Sequence, residues 1–331
     1  MALHIRRRRS TMDTVPARAP MKASPPAPPR PRIGLALGGG SARGWAHIGV
    51  IRTLTEAGVA PDIVCGTSIG ALVGAAYVAG ELDRLEAWVR SLKLQTVVSF
   101  LDFSLGGGLI KGEKLIDFFR AHFVDRDIGE LDRPFGAVAT DLARGREVWL
   151  REGGVSDAVR ASIALPGLFT PVRRDGAWLV DGGLVNPVPV SLARAMGADI
   201  VIAVDLNADL LGRHLRRRAA RKPGKGSRGS LASIVKARLE AGMTQLGLNH
   251  NGTPAPPAVL DVLASSINIM QVQITRSRLA GEPADVLVTP RLADLELMDF
   301  HRAAVAIETG RRAAEEQLPQ LLARVSGENG Y

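Results

Sequence analysis

From Ile33 onward, short apolar runs alternate with longer stretches of helical spacing. Seven of these runs are apolar and bounded by Gly, Pro or Asp, which predicts β-strands. The predicted strands are Ile33–Leu37, Asp62–Cys65, Phe135–Thr140, Glu147–Leu150, Ala177–Val180, Asp199–Asp205 and Val286–Val288. The predicted helices are Ala42–Ala57, Ile69–Val78, Asp83–Leu92, Gly112–Val124, Val155–Ala164, Val188–Met196, Ala258–Ala280 and Phe300–Ala323. Several strands are apolar throughout rather than alternating, which favours a mainly parallel sheet covered on both faces by helices.

Charge is distributed unevenly along the 331 residues, whose formal net charge is +9. Residues 1–32 hold eight Lys/Arg and one Asp, and residues 211–239 hold ten Lys/Arg and no acidic residue. The rest of the chain is therefore net acidic, so the basic total does not predict a nucleic-acid-binding fold.

The same composition predicts the domain organisation. Residues 1–32 are rich in Arg and Pro and predict a disordered tail, residues 33–323 form the folded body, and residues 324–331 form a C-terminal tail. Within the body, residues 212–257 combine a basic run with Gly, Ser and Pro clusters, which predicts an exposed insertion.

Compartment and metal binding are constrained by what the sequence contains. Cys65 is the single cysteine, so no intrachain disulfide and no cysteine cluster for a metal can form. The tail lacks the apolar stretch of a secretory signal, and the longest apolar window, Ile69–Gly80, is too short to span a bilayer. We therefore expect a cytoplasmic protein.

The segment Gly66-Thr67-Ser68-Ile69-Gly70 has the GxSxG form and joins a predicted strand to a predicted helix. That context suits a nucleophilic serine, because the glycines permit a strained turn that lifts the side chain above the sheet. The alternative is an ordinary strand-to-helix turn in which Ser68 caps the helix.

A second glycine-rich turn, Gly38-Gly39-Gly40-Ser41-Ala42-Arg43-Gly44, follows the first predicted strand. Successive glycines let several backbone N–H groups point at a phosphate or a developing oxyanion. A P-loop would need Gly-Lys-Ser/Thr, which is missing, and a dinucleotide loop would need glycine where Arg43 stands. The dinucleotide interpretation also leaves Ser68 without a role.

A third motif, Asp181-Gly182-Gly183, ends a predicted strand. An aspartate at the carboxyl end of a strand can project into the crevice where open α/β sheets bind their ligands. The alternative is a tight turn in which Asp181 accepts hydrogen bonds from its own backbone.

Together the three motifs resemble those of bacterial patatin-like phospholipases, in which a GGGxxRG loop, a GxSxG serine and a DGG or DGA aspartate form one site. The resemblance runs through Ile33–Val59, Ala161–Leu206 and Asp285–Ala314. It implies a three-layer α/β/α patatin-like fold with a mainly parallel central sheet, and a patatin-like catalytic domain over 33–323.

The resemblance also implies the roles of individual residues. Ser68 corresponds to the nucleophile of a serine–aspartate dyad and Asp181 to its partner. The oxyanion hole corresponds to Gly38, Gly39, Gly40 and Arg43. The implied activity is hydrolysis of phospholipid, lysophospholipid or simpler carboxylic esters, with no cofactor and no metal.

The proton acceptor remains open at this point, because a serine hydrolase often uses histidine as its base. His301 is the one histidine that follows Asp181 in the predicted body, which leaves a Ser68, Asp181, His301 triad as an alternative to the dyad. Two other functions also stay open. These are acyl transfer by the same serine, and a regulatory or membrane-surface binding role without catalysis.

Two segments bear on the substrate. The apolar stretch Ser99–Ile110 either lines an acyl channel, touches a membrane or packs against the sheet. The basic insertion either binds anionic lipid headgroups or is a solvated loop. The expected partner is thus an acyl ester lipid, with peripheral contact to the inner membrane surface.

Overall fold

The computed structural model describes residues 30–99, 112–123, 125–210 and 259–325. Its eight strands form one sheet. The strands are β1 Ile33–Leu37, β2 Ile63–Thr67, β3 Phe135–Asp141, β4 Arg146–Leu150, β5 Val172–Arg174, β6 Ala177–Asp181, β7 Ile200–Val204 and β8 Val286–Val288. The α-helices are α1 Ala46–Glu56, α2 Ile69–Val78, α3 Leu82–Ser91, α4 Leu94–Ser99, α5 Glu113–His122, α6 Val155–Ser162, α7 Val190–Ala195, α8 Val259–Gly281 and α9 Ala303–Val325.

Strands β3, β2, β1, β7 and β8 run parallel in that order. At the β3 side, β4 and β6 pair with β3 in the antiparallel sense, and β5 pairs with β6 in the same sense. The mainly parallel sheet expected from the sequence is thus confirmed.

Both faces of the sheet are buried. Leu35 and Ala36 are consecutive in β1, yet Leu35 belongs to the larger apolar cluster and Ala36 to the smaller one. Helices α1, α2, α3, α6 and α9 contribute to the larger cluster, and α7 contributes to the smaller one. This arrangement confirms the three-layer α/β/α fold and explains why the strands are apolar on both sides.

Most element boundaries lie within two residues of their predicted positions, and the departures have local causes. The sequence analysis missed β5, which has only three residues, and α4, whose six residues give too little periodicity. The helix predicted from Ala42 starts as a 3₁₀ turn over Ser41–Trp45 and becomes α-helical at Ala46.

No helix in the described ranges has both the length and the apolar character needed to cross a bilayer. Residues 1–29 and 211–258 lie outside the described residues, so the predictions of a disordered tail and an exposed insertion stay predictions. The stretch Ser99–Ile110 also falls outside, apart from Ser99, which ends α4.

Candidate active site

Ser68 is the single residue between the end of β2 and the start of α2, and it has a backbone conformation that few non-glycine residues adopt. Its φ is 57° and its ψ is −125°. The backbone N–H of Ser68 donates to Ser162 Oγ over 2.8 Å, and Ser162 Oγ–H donates to Val138 O over 2.6 Å. Packing and these bonds hold the strained turn, as a nucleophile elbow requires.

The two glycines of this turn are required by close packing. A Cβ on Gly66 would lie 2.4 Å from the backbone N of Ala71, and a Cβ on Gly70 would lie 2.2 Å from Leu37 O. Both neighbours are backbone atoms, so neither can move aside like a flexible side chain. Thr67 ends β2 and donates from Oγ1 to Asn186 O over 2.8 Å, and Ile69 begins α2.

Strand β3 brings Asp181 to Ser68. Strand β4 pairs along one edge of β3 from residue 137 to residue 141, so β2 and β6 share the other edge. There β2 ends with Thr67 opposite Val138, and β6 arrives from the opposite direction and ends with Asp181 opposite Ala139. The two strands therefore meet end to end at neighbouring residues of β3.

Asp181 ends its strand, as the sequence predicts. That strand, β6, is antiparallel to β3 rather than one of the parallel strands. The carboxyl end of β6 reaches the site because β6 runs along the same edge of β3 as β2 and in the opposite direction, so that the two strands end next to each other. Gly182 is needed at the junction, since a Cβ there would lie 2.3 Å from Val138 O.

The Asp181 carboxylate is fully buried and hydrogen-bonded at both oxygens. Ser68 Oγ–H donates to Oδ2 over 2.6 Å, and the Gly183 N–H donates to Oδ1 over 2.7 Å. Burial raises the pKa of Asp181 from 3.8 to about 6, and the bonds from Ser68 and Gly183 oppose that rise. A carboxylate tuned in this way can accept a proton near neutral pH.

The glycine-rich turn contacts the elbow, but two of its amides are already used. A Cβ on Gly39 would lie 3.4 Å from Ser68 Cβ. The Gly38 N–H donates to Val204 O over 3.0 Å, and the Gly39 N–H donates to Pro187 O over 2.9 Å. In this structure the amides of Gly38 and Gly39 therefore hold the turn in place, and the oxyanion-hole assignment of these two residues stays a prediction.

Arg43 lies behind this turn and is only 1% exposed. Its Nε–H donates to Gly40 O over 3.2 Å and its Nη2 donates to Asn268 Oδ1 over 3.3 Å. Burial lowers the pKa of Arg43 to about 10, while Asp209 and Asp205 act to raise it, so the side chain stays cationic. The guanidinium thus braces the Gly40 carbonyl.

His47 lies within the helix predicted over Ala42–Ala57 and contacts the glycine-rich turn, a contact that the sequence does not predict. Its ring is fully buried in α1, and Nε2 lies 2.7 Å from Gly38 O. Burial lowers the pKa of His47 to about 4, so the ring is neutral at neutral pH and Nε2 carries the proton that Gly38 O accepts. The glycine-rich motif was the available signal, because His47 lies one helical turn beyond it.

No histidine in the described ranges bonds to Ser68 or Asp181. His122 Nδ1 contacts Phe118 O, and His301 is exposed in the 3₁₀ turn Phe300–Arg302. The side chain that accepts the hydrogen bond from Ser68 Oγ is that of Asp181.

A cleft opens beside the glycine-rich turn. Gly40, Leu165 and Leu297 line it together with Ile267, Asn268 and Gln271 of α8. The sequence predicts the helix α8 but not its position at the cleft, because residues distant in the chain bring it there. Among the described residues, no group of three or more His, Cys, Asp or Glu is arranged to hold a metal ion.

Several known proteins are similar to this chain. Residues 35–194 match the family model described as patatin-like phospholipase. An uncharacterized NTE family protein of Mycobacterium tuberculosis is 34% identical over 87% of this chain and 91% of its own length. Mouse patatin-like phospholipase domain-containing protein 6 is 36% identical over 53% of this chain and 14% of its own length. VipD from Legionella pneumophila is similar at 12% identity and a TM-score of 0.35, covering 89% of this chain and 77% of that chain, which is too low to carry an argument.

Proposed function

The chain belongs to the patatin-like phospholipase family, and on that premise we propose that it is a serine lipid acyl hydrolase. Its proposed substrates are phospholipids, lysophospholipids or simpler carboxylic esters, cleaved through an acyl-enzyme. The observation that carries the proposal is the 2.6 Å hydrogen bond from Ser68 Oγ to Asp181 Oδ2 at a strained strand-to-helix turn.

In the first half-reaction Ser68 Oγ attacks the ester carbonyl carbon while its proton moves to Asp181 Oδ2. The tetrahedral intermediate collapses, the C–O bond to the leaving alcohol breaks, and Asp181 returns the proton to that alcohol. In the second half-reaction water attacks the acyl-enzyme and gives a proton to Asp181. Release of the fatty acid then returns that proton to Ser68 Oγ.

The proposed oxyanion donors are the backbone N–H groups of Gly40 and Ile69. Within the described part of the chain, neither amide has a hydrogen-bond partner. Gly40 lines the cleft, and the preceding residue, Gly39, approaches Ser68. Ile69 opens α2, where the helix dipole also favours negative charge. One such donor typically lowers the barrier by about 3–4 kcal/mol, so the glycine-rich turn contributes as much as the base.

The reaction is expected to depend on pH through Asp181, which must be ionised to accept the proton. With a pKa of about 6, the carboxylate is ionised above that pH, so kcat/KM should rise with pH through about 6 and then level off.

The direct test is a panel of short-chain esters and phospholipids assayed on the wild type and on Ser68→Ala, together with labelling by a fluorophosphonate probe. We expect the wild type to hydrolyse esters and to be labelled. Ser68→Ala should lose about 10³-fold or more in kcat and all labelling. A suitable control is Ser91→Ala, since Ser91 is an exposed serine at the end of α3.

The outcomes separate the competing functions. Hydrolysis by Ser68→Ala at the wild-type rate would refute the nucleophile. Faster product formation when an alcohol or lysolipid acceptor is added would favour acyl transfer. A wild type that is neither labelled nor active on any ester would favour a binding role.

A further inference from the structure

Helix α8 presents an apolar stripe to solvent beside the cleft. Val262, Leu263, Ile269 and Met270 are 46%, 38%, 50% and 48% exposed. Ile269 and Met270 each lie seven residues after Val262 and Leu263, so the four side chains share one face of the helix. These four residues are called the α8 stripe below.

The stripe borders the cleft on the same helix. Ile267, Asn268 and Gln271 of α8 line the cleft, and Ile267 and Gln271 are buried. On the stripe itself, the side chain of Leu263 packs on the loop that carries another cleft residue, Leu165. A Cβ added to Gly167 of that loop would lie 2.4 Å from Leu263 Cδ2. Anything that covers the stripe therefore lies next to the entrance of the cleft.

Arg278, near the C-terminal end of α8, fixes the helix to the rest of the fold. Arg278 Nε–H donates to Val185 O over 2.7 Å, and Arg278 Nη2 pairs with Glu147 Oε2 over 2.8 Å. Glu147 Oε1 accepts from the side chain of Asn186 over 2.6 Å, and Asn186 O accepts from Thr67, the residue before Ser68. The helix thus holds its stripe in a set position relative to the nucleophile.

The surroundings of the stripe favour a lipid bilayer over a protein partner. Among the residues of α8 whose exposure the structure describes, the exposed ones from Val262 to Met270 are serine or apolar, and Arg276 is the first that carries a charge. The sequence that precedes α8 holds ten Lys/Arg and no acid over residues 211–239. An apolar helix face in a sequence that also holds a strongly basic segment is a combination typical of proteins that bind the interface of an anionic bilayer.

We propose that the α8 stripe docks the protein on an anionic phospholipid bilayer and so places the cleft entrance at the membrane surface. This rests on the proposed lipid acyl hydrolase function. A long-chain lipid then reaches the glycine-rich turn from the bilayer without crossing water, whereas a short-chain soluble ester needs no docking.

The test measures binding apart from catalysis, in the full-length Ser68→Ala protein. Co-sedimentation is measured with vesicles of phosphatidylcholine alone and with vesicles that also contain phosphatidylglycerol. We expect binding to the anionic vesicles, weakened about tenfold or more by Ile269→Gln with Met270→Gln. Val305→Gln with Leu322→Gln is the matched control, because these residues of α9 are similarly exposed at 49% and 44%.

Two substitutions of opposite charge at one position of the same helix face distinguish a change in membrane binding from a folding defect. Ser266 is exposed one helical turn from Ile269 and Met270, so Ser266→Glu should weaken and Ser266→Lys should strengthen binding to anionic vesicles. Equal binding by all variants would overturn the proposal, as would an equal loss in the α9 control. Binding to both kinds of vesicle that no α8 variant alters would point to another surface.

Activity measurements in the Ser68-containing protein separate this proposal from the proposed function. The α8 variants should keep the wild-type rate on a soluble short-chain ester and lose about tenfold on anionic vesicles. Ester hydrolysis with unaltered vesicle binding and unaltered vesicle activity in those variants would reject docking alone. Vesicle binding that depends on α8 in a protein inactive on every ester would reject the hydrolase alone.

Discussion

Two neighbouring strand-to-helix turns build the candidate site, and they use their glycines differently. The elbow after β2 places one strained side chain, Ser68, above the sheet, and its flanking glycines permit backbone packing. The turn after β1 presents no side chain, and its first two amides are bonded to Val204 O and Pro187 O. The elbow therefore depends on one residue and its acceptor, whereas the glycine-rich turn depends on how its backbone is held.

The largest expected effect is on the elbow's proton acceptor. Asp181→Asn preserves the shape and can keep both hydrogen bonds, but its amide cannot accept the Ser68 proton. We expect kcat to fall about 10³-fold or more. Asp175→Asn is the control, because Asp175 lies in an exposed turn. Retention of more than a tenth of the wild-type kcat by Asp181→Asn would indicate another base.

The same variant should be more stable than the wild type at pH 8, where burial of the ionised carboxylate destabilises the fold. The pKa of Asp181 is about 6 in the folded chain against 3.8 for an unperturbed aspartate, and this difference corresponds to about 3 kcal/mol. The difference between the two proteins should shrink as pH falls from 6 toward 4 and vanish below about 4. Urea unfolding across this range measures it, and a variant no more stable at pH 8 would contradict the desolvation argument.

The next effect compares glycines of the two turns. Gly70→Ala would place its methyl group 2.2 Å from Leu37 O, and we expect the free energy of unfolding to fall by at least about 3 kcal/mol. Gly40→Ala meets the side chain of Leu206 at 2.8 Å, which can shift, so its cost in stability should be smaller. Similar unfolding midpoints in urea for these two variants would contradict the prediction that Gly70 tolerates a methyl group less well than Gly40.

The smallest expected effect is on the support of the glycine-rich turn by His47. His47→Leu removes the donor to Gly38 O, and we expect kcat to fall about 10- to 100-fold with little change in KM. His47→Gln, whose Nε2 can reach the same oxygen, should recover much of that rate. Equal loss in both variants would show that the volume of the ring, rather than its hydrogen bond, supports the turn.

Acid unfolding gives the His47 variants a second readout. Because the pKa of His47 is lowered to about 4, its protonation opposes folding as pH falls from 6.5 toward 4. Asp181 acts in the opposite direction over an overlapping range. Stability of the Asp181→Asn variant should therefore decline more steeply with acid than that of the wild type, and His47→Gln in that background should flatten the decline.

Local patterns in the sequence predicted most of the fold and the motifs whose residues the structure brings together. Both faces of a buried strand must be apolar, so the runs in β1, β2 and β7 could be recognised directly. The three motifs each stand at the end of a strand and could be found from spacing alone. The short elements β5 and α4 could not, because three to six residues hold too little periodicity.

What the sequence alone determined was the layered α/β architecture and the three segments that meet at the site, because strand burial and turn chemistry are local properties. Only the tertiary structure decided how they meet. The shared edge of β3 brings Ser68 to Asp181, backbone pairing occupies the amides of Gly38 and Gly39, and α8 closes the cleft. These contacts join residues far apart in the chain, so no local pattern encodes them.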